Sequence, residues 1–349
     1  MKILLLVSNA DTKAGSGRNV ATISAVLRDA GHEVTVLAYT KGFWRFVREV
    51  RKRAKTNDIV QAIDINPVGL PGYLATRFTK AKFIIIAQAA YAIAPLYSRK
   101  AALLSRIVYR GADAVVAGSS FVAQEIQKKV PGLEVSVIDP GIDMSKFSDV
   151  ANTGKHTART DPYIIGVGAV KARKGYDVSL RAFALLKADF PRLRYVIVGS
   201  QTDEPLYFSM LTELARELGV GRDVDFLANV PDAGLNELYD RASVFVLTSV
   251  NLGFHFEGFG MVFLEAAAHG LPSVGTLGNG IADAVEDGTT GILVPQHDPE
   301  ATARAIRTIL TDTAKAERMS IRARAFAREH DLPHLTRCYE GLYRDIFTS

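Results

Sequence analysis

The chain holds a single cysteine, Cys338, among its 349 residues. One thiol excludes an intrachain disulfide framework and suits a reducing compartment, the cytosol. Zinc-type Cys/His spacing is missing, and so is the Gly-x-Ser-x-Gly elbow of a serine nucleophile. Long apolar runs are missing too. The opening "MKILLLVSNADTK" turns polar at Asn9, Asp11 and Lys13, too soon to span a bilayer. It reads as a first buried strand rather than a signal peptide. Charge of one sign is not concentrated. A net charge of +5 suits anionic substrates or a lipid surface, and is too diffuse to argue for nucleic acid.

What the chain does have is rhythm. Short β-branched runs predict strands at "KILLLV", "EVTVLAY", "DIVQAI", "KFIIIA", "DAVVAG" and "EVSVID", with amphipathic helical patterns between them. A polar stretch without apolar period follows at 148–161 and reads as a linker. The rhythm then restarts with "YIIGVGAV", "RYVIVGS", "VDFLANV", "SVFVLTS", "PSVGT" and "GILVP". Runs apolar on both faces and separated by helices predict parallel sheets covered on both sides. The expected architecture is α/β: two doubly wound, Rossmann-like domains facing an interdomain cleft, with ligands at the carboxyl ends of the strands. The expected boundaries are 1–150, a linker at 151–160, a second domain at 161–328, and a closing helical segment at 329–349.

The stretch "FHFEGFGMVFLEAAAHGLP" lies between a predicted strand and the next. Glu257 falls in the strand-to-helix loop and Glu265 on the second turn of a helix that begins near Gly260. Gly258 and Gly260 permit positive φ and leave bare backbone for a ligand. A helix start beside such a loop offers unpaired N–H groups to a phosphate or a polyhydroxyl group. Glu265 is surrounded by Leu264, Ala266, Ala267 and Ala268, so it is either a solvated helix carboxylate or an acid that needs a partner. "GVGAVKARKGYD" places Gly168, Lys171, Arg173 and Lys174 after the first strand of the second half. The glycine loop "NADTKAGSGRN" follows the first strand of the chain but fails the dinucleotide-binding spacing. "RDVDF" has the spacing of a metal-binding acid pair, but Asp223 and Asp225 read as a loop acid and a strand edge, and no metal is expected there.

"EGFGMVFLEAAAHGLPSVGT" followed by "NGIADAVEDGTTGILV" resembles the signature of the retaining GT-B glycosyltransferases of the family 4 type. The likeness extends over essentially the whole chain and is strongest at about 243–294, with echoes at "GVGAVKARKG" and "VIDPGIDMSKF". It implies a metal-independent, retaining transfer of a sugar from a nucleotide-diphosphate sugar to a hydroxyl acceptor in polysaccharide or glycolipid biosynthesis, with no cofactor. It implies that Glu257 lies near the donor sugar and phosphate, that Glu265 holds the ribose hydroxyls, and that the amides of Phe259, Gly260 and Met261 approach the sugar and diphosphate. Lys174 matches the diphosphate-binding lysine. Ala169 stands where relatives carry arginine, which leaves Arg173 or Lys171 to supply that charge. Gly17 would face the diphosphate, and Gly199 and Val230 would line the base. Gln88 stands near the place of an acceptor-side histidine, and His255 is a candidate substitute. The last helix, "LPHLTRCYEGLYRDIF", would cross back to the first domain. A nucleotide-sugar epimerase of the same architecture and a non-catalytic nucleotide-sugar-binding protein are the rival readings.

The basic stretch at 41–55 sets Phe43, Phe46, Val47, Val50 and Ala54 on one helical face and Arg45, Arg48, Arg51, Lys52 and Arg53 on the other. It reads as a helix packed on the first sheet, where the rhythm needs one, or as a peripheral contact with the inner face of a membrane.

Overall fold

The computed structural model describes residues 1–8, 15–40, 42–147 and 162–348, with backbone alone for 15–18. The linker read at 148–161 and positions 9–14 of the first glycine loop lie outside the described residues. The chain divides into two compact units, Met1–Gly141 with His330–Ser349, and Ile142–Glu329.

The first unit is built on a parallel six-stranded sheet. Its strands are β1 (Lys2–Val7), β2 (Glu33–Ala38), β3 (Ile59–Ile63), β4 (Lys82–Ala87), β5 (Ala114–Ala117) and β6 (Ser136–Val137). They lie in the order β2-β1-β3-β4-β5-β6. Ile3 to Val7 are buried without alternation, as a strand covered on both faces requires. One face meets Ile23, Val26 and Leu27 of the Gly15–Asp29 helix together with Leu335, Tyr339, Tyr343 and Ile346 of the Leu332–Thr348 helix. The 335/339/343/346 spacing is a single helical stripe, so the last helix can bury one apolar face on the first sheet. Beneath it the Tyr343 hydroxyl donates to Gln61 Oε1 at 2.8 Å, in the buried interior.

The Phe43–Ala54 helix buries Phe46, Val47, Val50 and Ala54 and turns Arg48, Arg51, Lys52 and Arg53 to solvent. Its apolar face is therefore part of the first unit's interior. That excludes a helix at 41–55 lying with this face in lipid.

The second unit repeats the plan with β7 (Tyr163–Val167), β8 (Arg194–Val198), β9 (Val224–Leu227), β10 (Val244–Val246), β11 (Ser273–Thr276) and β12 (Gly291–Val294). Their order is β12-β11-β10-β7-β8-β9, again parallel. The unit begins at Ile142 rather than beyond residue 150. Ile142 is buried in the second core, with Met144 and Phe147 packed against it. The polar composition of 148–161 suggested the later boundary, but the apolar residues before that stretch had already joined the second core.

Strand order reverses between β7 and β10. The chain runs outward from β7 through β8 and β9, then returns to the other side of β7 to lay down β10, β11 and β12. At such a reversal the loops leaving the two central strands diverge to opposite faces and open a crevice at their carboxyl ends. Positions 168–175 and 247–260 are those loops.

Candidate active site

The two loops are tied together by their backbones. Val250 N–H donates to Arg173 O at 2.8 Å, and the Thr248 hydroxyl to Gly175 O at 2.6 Å. Gly175 takes φ +65°, and a Cβ there would overlap the Thr248 carbonyl, so the loops close to this distance only with glycine. Gly280 is similarly pressed onto the Gly258 carbonyl, and its N–H donates to Glu257 O at 2.9 Å. These contacts fix the height at which Glu257 leaves its loop.

Glu257 Oε2 accepts from Lys174 Nζ at 2.5 Å and from Arg173 Nη1 at 3.1 Å, with the Ser249 hydroxyl at 3.4 Å. Lys174 is buried and the Glu257 side chain is 12% exposed. Burial by itself would raise the Glu257 carboxyl, but the adjacent Lys174 and Arg173 charges outweigh it and hold the group below the ordinary range. For Lys174 burial is the larger influence and lowers its ammonium, against the opposing pull of Glu257. Two cations on one carboxylate leave the cluster net positive. At the reversal of a parallel sheet, that is a ready seat for an anion.

Of the two cations that could replace the arginine missing at Ala169, the structure brings Arg173 into the cluster. Lys171 instead pairs with Asp203 at 2.7 Å. Gly168 takes φ +144°, and its carbonyl accepts from the Tyr176 hydroxyl at 2.8 Å. Gly199 N–H donates to Leu227 O at 2.9 Å, which joins the ends of β8 and β9 just before Val230. A Cβ on Gly199 would overlap the Gly168 carbonyl.

Gly260 takes φ +91° and opens the Met261–Ala268 helix without a side-chain cap. Phe263 N–H donates to the Gly260 carbonyl at 2.8 Å, and no cap side chain takes the N–H groups of Met261 and Val262. Gly258 and Phe259 are buried just before it. Glu265, one turn further along, is half-buried and accepts from the Tyr239 hydroxyl at 3.2 Å. Tyr239 in turn stacks on His269 at 5.1 Å between ring centres, and His269 Nδ1 lies 2.7 Å from Asp240 Oδ1. The sequence implies a partner for Glu265 but does not point to Tyr239. The apolar neighbours were the available signal.

His255, Asp223 and Asp225 do not join this cluster. His255 is exposed on a tight turn closed by backbone bonds with Leu252, its ring against Phe254 at 4.4 Å. Asp223 and Asp225 do not converge. Asp223 pairs with Lys187 at 3.0 Å and Asp225 with Arg194 at 2.7 Å. No group of three His, Cys, Asp or Glu side chains gathers to hold a metal ion among the described residues. Gly17 lies in the first turn of the Gly15–Asp29 helix. Gln88 follows β4 in the first unit. Its backbone N–H donates to Asp64 Oδ1 at 2.9 Å, and its Nε2 is buried with no partner among the described residues.

Comparison with known proteins bears on the family and the fold. Residues 151–326 match the family described as glycosyl transferases group 1, and residues 14–146 match glycosyltransferase family 4. The D-inositol 3-phosphate glycosyltransferase of Corynebacterium urealyticum is 34% identical over 224 residues, covering 61% of this chain and 52% of that protein. The same-named enzyme of Streptosporangium roseum is 35% identical over 212 residues, covering 57% and 47%. The matches with these curated relatives thus span about half of their length. Among solved structures, Anabaena HepE in complex with UDP superposes with a TM-score of 0.82 at 20% identity, covering 99% and 100% of the two chains. Sucrose-phosphate synthase from Thermosynechococcus elongatus also gives 0.82 at 20% identity, covering both chains fully. At that identity the likeness speaks for the fold.

Proposed function

Since the chain belongs to the glycosyl transferases group 1 and has the GT-B fold, we propose that it transfers a sugar from a nucleotide-diphosphate sugar to a hydroxyl acceptor, with retention of configuration and without a metal ion. The observation that carries this reading is the pairing of Lys174 and Arg173 with Glu257 where the strand order reverses. A diphosphate leaving group needs fixed positive charge where negative charge develops, in a position set before the reaction starts. Lys174 and Arg173 are such charges, and Glu257 keeps them oriented. The uncapped start of the Met261–Ala268 helix adds N–H donors and a positive dipole end.

In this reading Glu265 receives the ribose hydroxyls and Tyr239 holds its carboxylate in position. Gly168, Gly199 and Val230 border the base and diphosphate. Gln88 is the acceptor-side residue. A donor phosphate oxygen takes the acceptor's proton on the face from which the diphosphate departs, so no enzymic nucleophile is required. One of the solved neighbours named above supports the donor class: HepE is described in complex with UDP and with UDP-glucose. The acceptor is proposed to belong to polysaccharide or glycolipid synthesis.

A thermal-shift panel of sugar nucleotides tests the donor, because a ligand that binds only the folded state raises its apparent stability. The expected result is a shift with one or a few members that is lost in Glu265→Ala. A panel that shifts nothing, or an unchanged shift in the variant, overturns the assignment. Proton NMR of the first-formed anomer tests retention. Activity abolished by EDTA and restored by a divalent ion would overturn metal independence. An epimerase would convert the donor without any acceptor.

A further inference from the structure

The Ala102–Arg110 helix of the first unit is apolar on both sides. Ser105, Val108 and Tyr109 face inward, and the Tyr109 hydroxyl donates to Ala92 O at 2.8 Å, so the inner side is fully packed. Leu103, Leu104 and Ile107 point the other way and are 66%, 50% and 46% exposed. The Phe43–Ala54 helix, in the same unit, has cations where this one has leucines. A surface helix gains nothing in folding from three large outward aliphatics, and a contiguous group of them marks an interaction face.

The charge along that helix and the turn before it has one sign. No Asp or Glu occurs between Asp64 and Asp113, while Arg99, Lys100, Arg106 and Arg110 run along the exposed helix and the turn before it. Arg106 Nε donates to Lys129 O at 3.0 Å, and the Lys129 ammonium lies over the Tyr97 ring at 3.9 Å. The nearby Glu125 is already paired with Lys128 at 2.5 Å. Just beyond the helix, Gly111 lines a cavity of about 400 Å³ with Arg77, Phe78 and Lys80. Phe78 is 90% exposed and takes φ +66°, a conformation that costs a bulky residue energy which no burial of its ring offsets.

We propose that this face docks the protein on an anionic membrane surface. Leu103, Leu104 and Ile107 enter the boundary between headgroups and acyl chains, and Arg99, Lys100, Arg106 and Arg110 meet lipid phosphates. Charge decides between a bilayer and a second copy of the chain. Two such faces brought together would set cation against cation, which opposes association. An anionic surface complements the leucines and the cations at once. The assignment stands independently of the donor.

Vesicle flotation with the full chain tests it, using phosphatidylcholine vesicles with and without phosphatidylglycerol. The chain should float only with the anionic vesicles, and less as salt is added. Arg99→Gln/Lys100→Gln, at exposed positions that hold no fold contact, should bind more than about tenfold more weakly. Leu103→Gln/Ile107→Gln should lose a similar factor while keeping the parental circular dichroism and donor hydrolysis. Arg48→Gln/Arg51→Gln, on the other basic helix, should float nearly as well as the parent. Equal flotation of the parent and both the Arg99/Lys100 and Leu103/Ile107 variants, no flotation at all, or a leucine-dependent dimer in sedimentation without vesicle binding each overturns the proposal.

Discussion

Asp64 follows β3 beside the point where strand order reverses in the first sheet, and Glu257 follows β10 beside the corresponding point in the second. Both carboxyls are largely withdrawn from solvent, yet their acidities move in opposite directions. Asp64 accepts only the Gln88 N–H within 3 Å in the described structure, and burial pushes its carboxyl up to about 7 despite that bond. Glu257 faces two cations, and its carboxyl is held below the ordinary range. Depth of burial sets the size of the penalty on the charge; the partner decides whether the charge is kept. One reversal point has thus become a charged cluster and the other a carboxyl that titrates close to physiological pH.

Breaking the charged member should have the largest effect. Lys174→Ala leaves Glu257 short of its nearest cation and should destabilise the second unit by about 3–5 kcal/mol. It should also lower turnover by about 10²–10³, as expected when a fixed charge on the leaving group is removed. Lys174→Met with Glu257→Gln separates the two effects. Urea unfolding of the double variant should recover most of the lost stability, whereas turnover should stay low. Recovered turnover would mean that the pair serves only the fold.

The carboxyl that burial raises makes an opposite prediction for pH. Because the Asp64 carboxyl is raised in the folded protein, the native state binds more protons than the unfolded chain between pH 3.8 and about 7. Stability of the first unit should therefore fall as pH rises through that window, by up to about 4 kcal/mol, and level off above it. Glu257 contributes the other sign. Its stabilisation is present above its unfolded value of 4.5 and is lost as pH falls below it. Asp64→Asn keeps an oxygen for the Gln88 N–H and suits the φ of +63° at this position. It should flatten the falling limb. Trp44, the only tryptophan, reports on the first unit during urea unfolding. A slope unchanged in the variant would assign the titration to another group.

How much of this was legible in the sequence differs between the two regions. The strands were, because Ile, Val and Leu runs without alternation have few other uses in a chain of this length. Glu257, Lys174 and Glu265 stand out as candidates through the glycines around them, the helix start and the resemblance. The choice between Arg173 and Lys171 was not legible, since it depends on Asp203, far along the chain, being close enough to take Lys171. The same holds for Gly175 and Gly280, whose need for glycine comes from backbones brought against them by the fold. Asp64 gave no signal, because an acid after a strand is ordinary until its burial is known. The unit boundary was displaced for a related reason: composition marks polar segments, not where the neighbouring apolar residues pack.

The ribose assignment yields the next smaller effects. Glu265→Gln keeps the shape but removes the charge that would accept two hydroxyls, and should weaken sugar-nucleotide binding by about ten- to a hundredfold. Calorimetric affinity equal to the parent's would remove Glu265 from the donor site.

Tyr239→Phe is the mildest test and the most discriminating. It deletes one hydroxyl that donates to Glu265 Oε2 at 3.2 Å and retains the ring that stacks on His269. The core should hold, since Phe fills nearly the same volume. A hydrogen bond of this kind is worth about 1 kcal/mol, which corresponds to about a fivefold rise in donor KM. Turnover at saturating donor should be unchanged, because Glu265 is assigned to ground-state and transition-state binding alike. Lys174→Ala is expected to move the other quantity, kcat. A variant at Tyr239 that lowers kcat while leaving KM alone would show that the Tyr239–Glu265 pair acts on the departing diphosphate, and would erase the division of labour between the two glutamates.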